Sequence, residues 1–88
     1  MEKTEIIEEL TKLAVRVNDE TDYCVFVRLS GHVDWFGVEV KRSKQAFNEE
    51  LATFEFRKWG EKCVFDEFES CRQILNRALA REKVYGGE

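Results

Sequence analysis

The residues that could bind a metal ion or act as a nucleophile are Cys24, Cys63, Cys71 and the single histidine, His32. The cysteines show no Cys-x-x-Cys spacing, and a zinc site would need all of them together with a turn residue. His32 follows Gly31 in a predicted hairpin turn, with no serine or cysteine placed near it by the sequence. We therefore predict no metal site, no cofactor and no catalytic residue, and expect a protein that is not an enzyme.

Residues suited to binding a partner are more numerous than residues suited to catalysis. Arginine and aromatic residues recur in segments whose patterns predict strands. Tryptophan and arginine are enriched among the residues that dominate protein interfaces. The same residue types can also stack on single-stranded nucleic acid, or form cation–π pairs that only stiffen a sheet. The residues that we predict to bind a partner are Phe26, Arg28, Trp35, Arg57 and Trp59.

The composition of the chain indicates which classes of partner and which cellular compartment to expect. The 88 residues favour a single domain, residues 1–88, and the 18 acidic and 14 basic side chains give a net charge of -4. A sequence-independent nucleic-acid binder normally carries a basic excess, so a nucleic-acid partner is disfavoured. The charged amino terminus resembles no signal peptide, apolar runs are short and the cysteines are unpatterned. These features predict a cytoplasmic protein that does not bind or cross a membrane.

Hydrophobic periodicity predicts the elements that must position the candidate residues. Apolar residues at helical spacing predict a helix from residue 3 or 4 to residue 17 and another over about 66–84, with 85–88 a flexible tail. Strands are predicted over 23–29, 33–42 and 51–59. The segment 63–65 is either a short fourth strand or the start of the last helix. The fold class is α+β, a helix, a three-stranded antiparallel sheet and a helix, with both helices on one face of the sheet.

The register of the first hairpin decides which residues share a face. A two-residue turn at Gly31-His32 pairs Val27 with Phe36 and places Arg28 directly across from Trp35. Alternation along the third strand then brings Arg57 and Trp59 to the same face as Trp35. This face would be left open to solvent if both helices pack on the other side. Glu39 and Glu55 are predicted at its rim.

The order of the elements resembles that of the double-stranded-RNA-binding domain, which also runs helix, three strands, helix. That family uses a hairpin loop that contains glycine and histidine, as does Ser30-Gly31-His32-Val33, and a lysine-rich start to its second helix. In this chain the corresponding stretch is Asp66-Glu67-Phe68-Glu69. What the resemblance implies is the topology, together with RNA binding as an alternative function.

A second resemblance is to small acidic proteins of phages and prophages. The short chain without proline, its high charge content and the hairpin Gly31-His32-Val33-Asp34-Trp35 are similar to that class. Several such proteins inhibit host machinery, including CRISPR effectors, by occluding a surface that binds nucleic acid.

These observations lead to one functional hypothesis and two alternatives. We expect a non-enzymatic protein–protein interaction module, in its narrowest form an anti-CRISPR-like inhibitor of host defence that docks on a nucleic-acid-handling complex. A homodimer formed through the same sheet face would account for the same residues. The other alternative is an RNA-binding or single-strand-binding domain that uses the same aromatic and arginine side chains.

Overall fold

The chain folds as an α+β domain, the class predicted from its sequence. The structure is a computed structural model, and it describes residues 2–45 and 48–80. The three strands form one antiparallel sheet in the order β1-β2-β3. The elements in chain order are α1 (Lys3–Glu20), β1 (Cys24–Ser30), β2 (Trp35–Lys41), β3 (Glu50–Phe56) and α2 (Lys62–Leu79).

Both helices pack on the same face of the sheet and enclose the core, as predicted. Leu10 of α1 and Leu75 of α2 are fully buried against Phe36, Val38 and the other apolar residues on that face. The buried residues recur at helical spacing, so each helix presents one apolar stripe to the core. Within the described ranges, neither helix is long and apolar enough to cross a bilayer.

Several element boundaries differ from the predicted ones. Helix α1 continues to Glu20 and ends where the Thr21 hydroxyl donates a hydrogen bond to the Val17 carbonyl at 2.7 Å. Helix α2 begins at Lys62, so residues 63–65 form its first turn and not a fourth strand. The acidic residues from Asp66 onward therefore lie beyond the first turn. The predicted end of this helix at 84 and the tail 85–88 lie outside the described residues.

The predicted two-residue turn at Gly31-His32 is wrong. Ser30 pairs with Trp35, so the loop contains four residues, 31–34, and the pairing between β1 and β2 is shifted by two positions. Asp34 adopts a left-handed conformation with φ 54°, which aspartate tolerates better than most residues. Its carboxylate pairs with Lys3 of α1 and its carbonyl accepts a hydrogen bond from the Trp59 indole, so tertiary contacts hold the longer loop. A two-residue shift preserves strand alternation, and each side chain keeps its predicted face.

The central position of Leu75 leads to a stability prediction. Replacing Leu75 by alanine should lower the free energy of unfolding by about 3–5 kcal/mol, because the surrounding core cannot collapse fully into the space left. The matched change Val15→Ala, at an exposed position of α1, should alter it by less than about 0.5 kcal/mol. Urea denaturation followed by circular dichroism measures both. Equal effects of the two changes would contradict this description of the core.

Candidate protein-binding face

The sheet face opposite the helices carries most of the predicted site residues. No element of the part of the chain that the structure describes packs on it. Alternation along the strands brings five of its side chains together, with the cross-strand pairs Phe26–Glu39 and Gly37–Glu55 at its centre. Arg57, directly after β3, joins them through its ion pair with Glu55. We call this surface the open sheet face and define it by Phe26, Arg28, Trp35, Glu39, Glu55 and Arg57.

Trp35 lies along the open sheet face and does not project from it. A Cβ atom built on Gly37 would come within 2.5 Å of the Trp35 ring, so the ring rests against the backbone of that glycine. The indole Nε1–H donates a hydrogen bond to Glu55 Oε1 at 3.0 Å. Glycine at position 37 is thus required by a close approach, and the ring is held in one orientation by packing and by a hydrogen bond.

Glu55 connects Trp35 to Arg57. Its Oε1 atom accepts hydrogen bonds from the indole and from the Arg57 guanidinium, each at 3.0 Å. The indole hydrogen bond, followed by that of Arg57, lowers the pKa of the Glu55 carboxyl below its ordinary value. The backbone N–H of Glu55 points away from β2, at the outer edge of β3, and donates a hydrogen bond to Glu67 Oε2 of α2 at 3.3 Å. Glu55, on the edge strand β3, therefore joins Trp35 and Arg57.

Arg28 does not lie across from Trp35, as the predicted register required. It lies across from Gly37, and its guanidinium contacts Glu39 Oε1 at 3.4 Å. The Arg28 side chain is 64% exposed and that of Glu39 only 24%. Glu39 Oε1 is buried and accepts no hydrogen bond from the described residues, so the contact with Arg28 compensates its charge. Both face arginines are thus paired with carboxylates while remaining accessible.

Trp59 does not belong to the open sheet face, which corrects the prediction for this residue. Strand β3 ends at Phe56, and the alternation that placed Trp59 beside Trp35 does not extend beyond it. The Trp59 ring stacks on the buried Phe56 ring with centroids 5.9 Å apart, and the Lys3 amine lies 5.7 Å from its centroid. Gly60, with φ 91°, then turns the chain toward α2. Trp59 closes the end of the core beneath the hairpin loop.

The residues considered for metal binding or catalysis are not brought together. Cys71 is buried in the core, where burial and the nearby Glu67 carboxylate raise the pKa of its thiol to about 12. Cys24 is half-buried on β1, Cys63 is exposed on α2, and His32 is exposed in the hairpin loop. Over residues 2–45 and 48–80, no three histidine, cysteine or carboxylate side chains form a group that could hold a metal ion.

Two features of the site were missed from the sequence. The support of the Trp35 ring by Gly37 was signalled by glycine within a strand, which often marks a close approach. The pairing of each arginine with a specific carboxylate depends on the register, which was predicted two residues out of step. A third ion pair, Lys41 with Glu50 at 3.1 Å, bridges β2 and β3 at the far end of the face.

Comparison with known proteins assigns no family to this chain. No family model matches it, and neither a curated protein nor a solved structure does. The resemblance to small phage proteins therefore stays a prediction.

The contact between Gly37 and Trp35 can be tested by one methyl group. Gly37→Ala should displace the ring, break its hydrogen bond to Glu55 and destabilise the protein by about 1–3 kcal/mol. The matched change Gly31→Ala adds a methyl group where no atom lies within 4 Å and should have little effect. The Trp35 Nε1–H resonance in NMR spectra reports the ring, and an unchanged resonance in Gly37→Ala would refute the contact.

The hydrogen bonds to Glu55 predict its titration. The carboxyl should titrate below its ordinary pKa of 4.5, because the indole and the guanidinium favour its charged form. Since the pKa is lowered in the folded state, this stabilisation is present above the ordinary pKa and is lost as the pH falls through the folded-state value. NMR titration of the Glu55 carboxyl carbon measures the midpoint.

Variants separate the two causes of the shift. Trp35→Phe should raise the Glu55 midpoint more than Arg57→Gln does. Trp59→Phe should leave it unchanged, because the Trp59 indole donates to Asp34 instead. A midpoint that does not respond to Trp35→Phe would show that the indole hydrogen bond is not formed in solution.

Proposed function

We propose that this chain is a non-enzymatic protein–protein interaction module that docks on a protein partner through the open sheet face. The observation that carries the proposal is an accessible aromatic and arginine surface held in one conformation. Trp35 is oriented by Gly37 and Glu55, and Arg57 is oriented by the same carboxylate. Side chains that are ordered before binding lose less conformational entropy when a complex forms.

The open sheet face has an exposed aromatic side chain and a shallow cavity, two features that are common at the centre of protein interfaces. Phe26 is 36% exposed on β1, and a shallow cavity opens between Ser30, Val33, Trp35 and Arg57 at the hairpin end. Aromatic residues and pockets of this kind carry most of the binding free energy in protein interfaces. A side chain of the partner would enter the cavity beside the Trp35 ring.

The charges on this face favour a protein over a nucleic acid. Each arginine is already paired, Arg28 with Glu39 and Arg57 with Glu55, so the four side chains carry no net charge. A nucleic-acid backbone would place a continuous row of phosphates against Glu39 and Glu55 as well as against the arginines, and these glutamates would repel it. The arginines are the more exposed members of the two pairs, so the partner that fits best has an apolar patch flanked by carboxylates.

The narrower hypothesis of an inhibitor that occludes a nucleic-acid-binding surface is supported by the net charge of -4 and by the resemblance to phage proteins. A surface that binds nucleic acid is basic, and carboxylates would have to face it. The open sheet face does not supply them, because its two most exposed charged groups are arginines. An inhibitor acting through this face would therefore contact its target away from the basic surface.

Matched variants test the proposal. Partners are captured on the immobilised chain with and without nuclease, and each recovered protein is then purified and its affinity measured by calorimetry. Phe26→Ala and Trp35→Ala should each weaken binding at least about tenfold, as for interface anchors. The control Phe65→Ala removes a ring of equal exposure from α2 and should change the affinity by less than about twofold.

Each outcome identifies a function. Loss of binding in Trp35→Ala but not in Phe65→Ala supports the proposal, provided that both variants are folded. Binding that is insensitive to changes on the open sheet face overturns it. Recovery of only nuclease-sensitive material, with an affinity that falls steeply with salt, would establish nucleic-acid binding. Self-association that Trp35→Ala abolishes would establish the homodimer.

A further inference from the structure

The outer edge of β1 is closed at one end by a side chain that imitates a strand. The Asn18 carboxamide accepts a hydrogen bond from the Val25 N–H at 2.7 Å and donates one to the Val25 carbonyl at 3.0 Å. These are the two hydrogen bonds that the facing residue of a further antiparallel strand would make with Val25. The interaction also shows that α1 overhangs this edge of the sheet.

Among the residues that the structure describes, the rest of the same edge has no pairing partner. Backbone groups alternate in direction along a strand, so Val27 and Leu29 point away from β2 as Val25 does. No other described residue bonds to their backbone N–H or C=O groups. By contrast, the outer edge of β3 is contacted by Glu67 at Glu55. An open edge of this kind is a template for pairing with another strand.

An apolar wall flanks the open edge. Ile7, Thr11 and Val15 follow one another at four-residue intervals along α1, on the side from which Asn18 reaches Val25. Together with Glu8, Lys12 and Arg16 they line a shallow concavity on α1 whose surface is almost entirely apolar. On β1, Leu29 is 65% exposed, and strand alternation places its side chain on the face of the sheet that the helices cover. We call this surface, formed by Ile7, Thr11, Val15, Val27 and Leu29, the edge groove.

The spacing of sheets and helices decides what can occupy the edge groove. A second copy that paired through β1 would place its own strand about 4.8 Å from this one, and its own α1 above that strand. Packed helices need about 8–10 Å between their axes, and α1 already overhangs the edge. A single extended segment brings no helix and meets no such conflict.

We infer that the edge groove binds an extended peptide segment of another protein, which adds as a fourth strand beside β1. Side chains of the segment that point toward the helices would pack on Leu29 and the α1 wall, so those positions are apolar. The alternate side chains would lie beside Arg28, whose guanidinium is exposed, so those positions are acidic. Backbone hydrogen bonds supply affinity in this mode, and the alternate pockets supply specificity.

The length of the segment follows from the two ends of the open edge. Asn18 closes the edge at Val25, and the strand ends at Ser30. About five residues of an added strand fit between these points, at roughly 3.3 Å per residue. The added strand would meet the open sheet face only at Arg28, and the residues that form the edge groove do not belong to that face.

Hydrogen exchange tests the open edge without any ligand. The Val27 and Leu29 amides of the full chain should exchange rapidly, whereas the Phe26 and Arg28 amides, which point toward β2, should be protected. Protection of Val27 and Leu29 in the free protein would show that this edge is already paired, which would overturn the inference. If these amides are protected, sedimentation shows whether the edge is paired with a second copy, which doubles the mass, or with another segment of the same chain.

A defined probe tests the segment. A hexapeptide of alternating valine and glutamate, titrated to millimolar concentration, should shift and protect the Val27 and Leu29 amides. A peptide of the same composition with its valines and glutamates in separate blocks should bind at least about tenfold more weakly. The absence of any change at these two amides, or equal binding of the two peptides, would overturn the inference.

Exposed positions of the chain provide the variants, so that folding is not at risk. Leu29→Lys and Val15→Lys should each weaken hexapeptide binding at least about fivefold. The control Val33→Lys changes an equally exposed apolar residue in the hairpin loop and should have no such effect. Trp35→Ala should also leave the hexapeptide bound, which separates the edge groove from the open sheet face. Equal binding to Leu29→Lys and Val33→Lys would refute the assignment of the groove.

Discussion

Two helices of 18 residues can bury one face of a three-stranded sheet, and all other features of this protein depend on that one-sided packing. The apolar stripes of α1 and α2 meet Phe36, Val38 and their neighbours, and this contact removes most of the large apolar side chains from water. The opposite face receives no cover from the described residues. It must therefore be stable in water by its own cross-strand contacts, or be covered by a partner.

The open sheet face satisfies that requirement with a small set of mutually dependent contacts. The Trp35 ring can lie flat only because residue 37 has no side chain, and in this position its indole reaches Glu55. Glu55 in turn orients Arg57, while Arg28 compensates the largely buried charge of Glu39. The result is a surface that is neutral, partly aromatic and oriented by its own contacts. Such a surface is stable in water and also preorganised for a protein partner.

The positions of the helices also determine which backbone groups at the two outer edges of the sheet are hydrogen-bonded. Glu67 of α2 reaches the outer edge of β3 at Glu55, and Asn18 of α1 reaches the outer edge of β1 at Val25. Each helix thus supplies one polar side chain to the outer edge of a strand. Because Asn18 lies near the end of α1, its reach covers Val25 but not Val27 or Leu29. The edge groove is the part of β1 that this arrangement leaves open.

Local pattern alone was enough to predict the element order, the core stripe of α1 and the face assignment of Phe26, Arg28, Trp35 and Arg57. Helical and strand periodicities are properties of neighbouring residues, and an error of two positions in the hairpin preserves alternation. Only the tertiary structure decided the loop length, the partners of the arginines and the position of Trp59. Asp34 is held by Lys3 and Trp59, residues far from it in the chain. Contacts between distant segments leave no periodic signal in a single sequence, so a pattern that ends at Phe56 could not show that Trp59 turns back to the core.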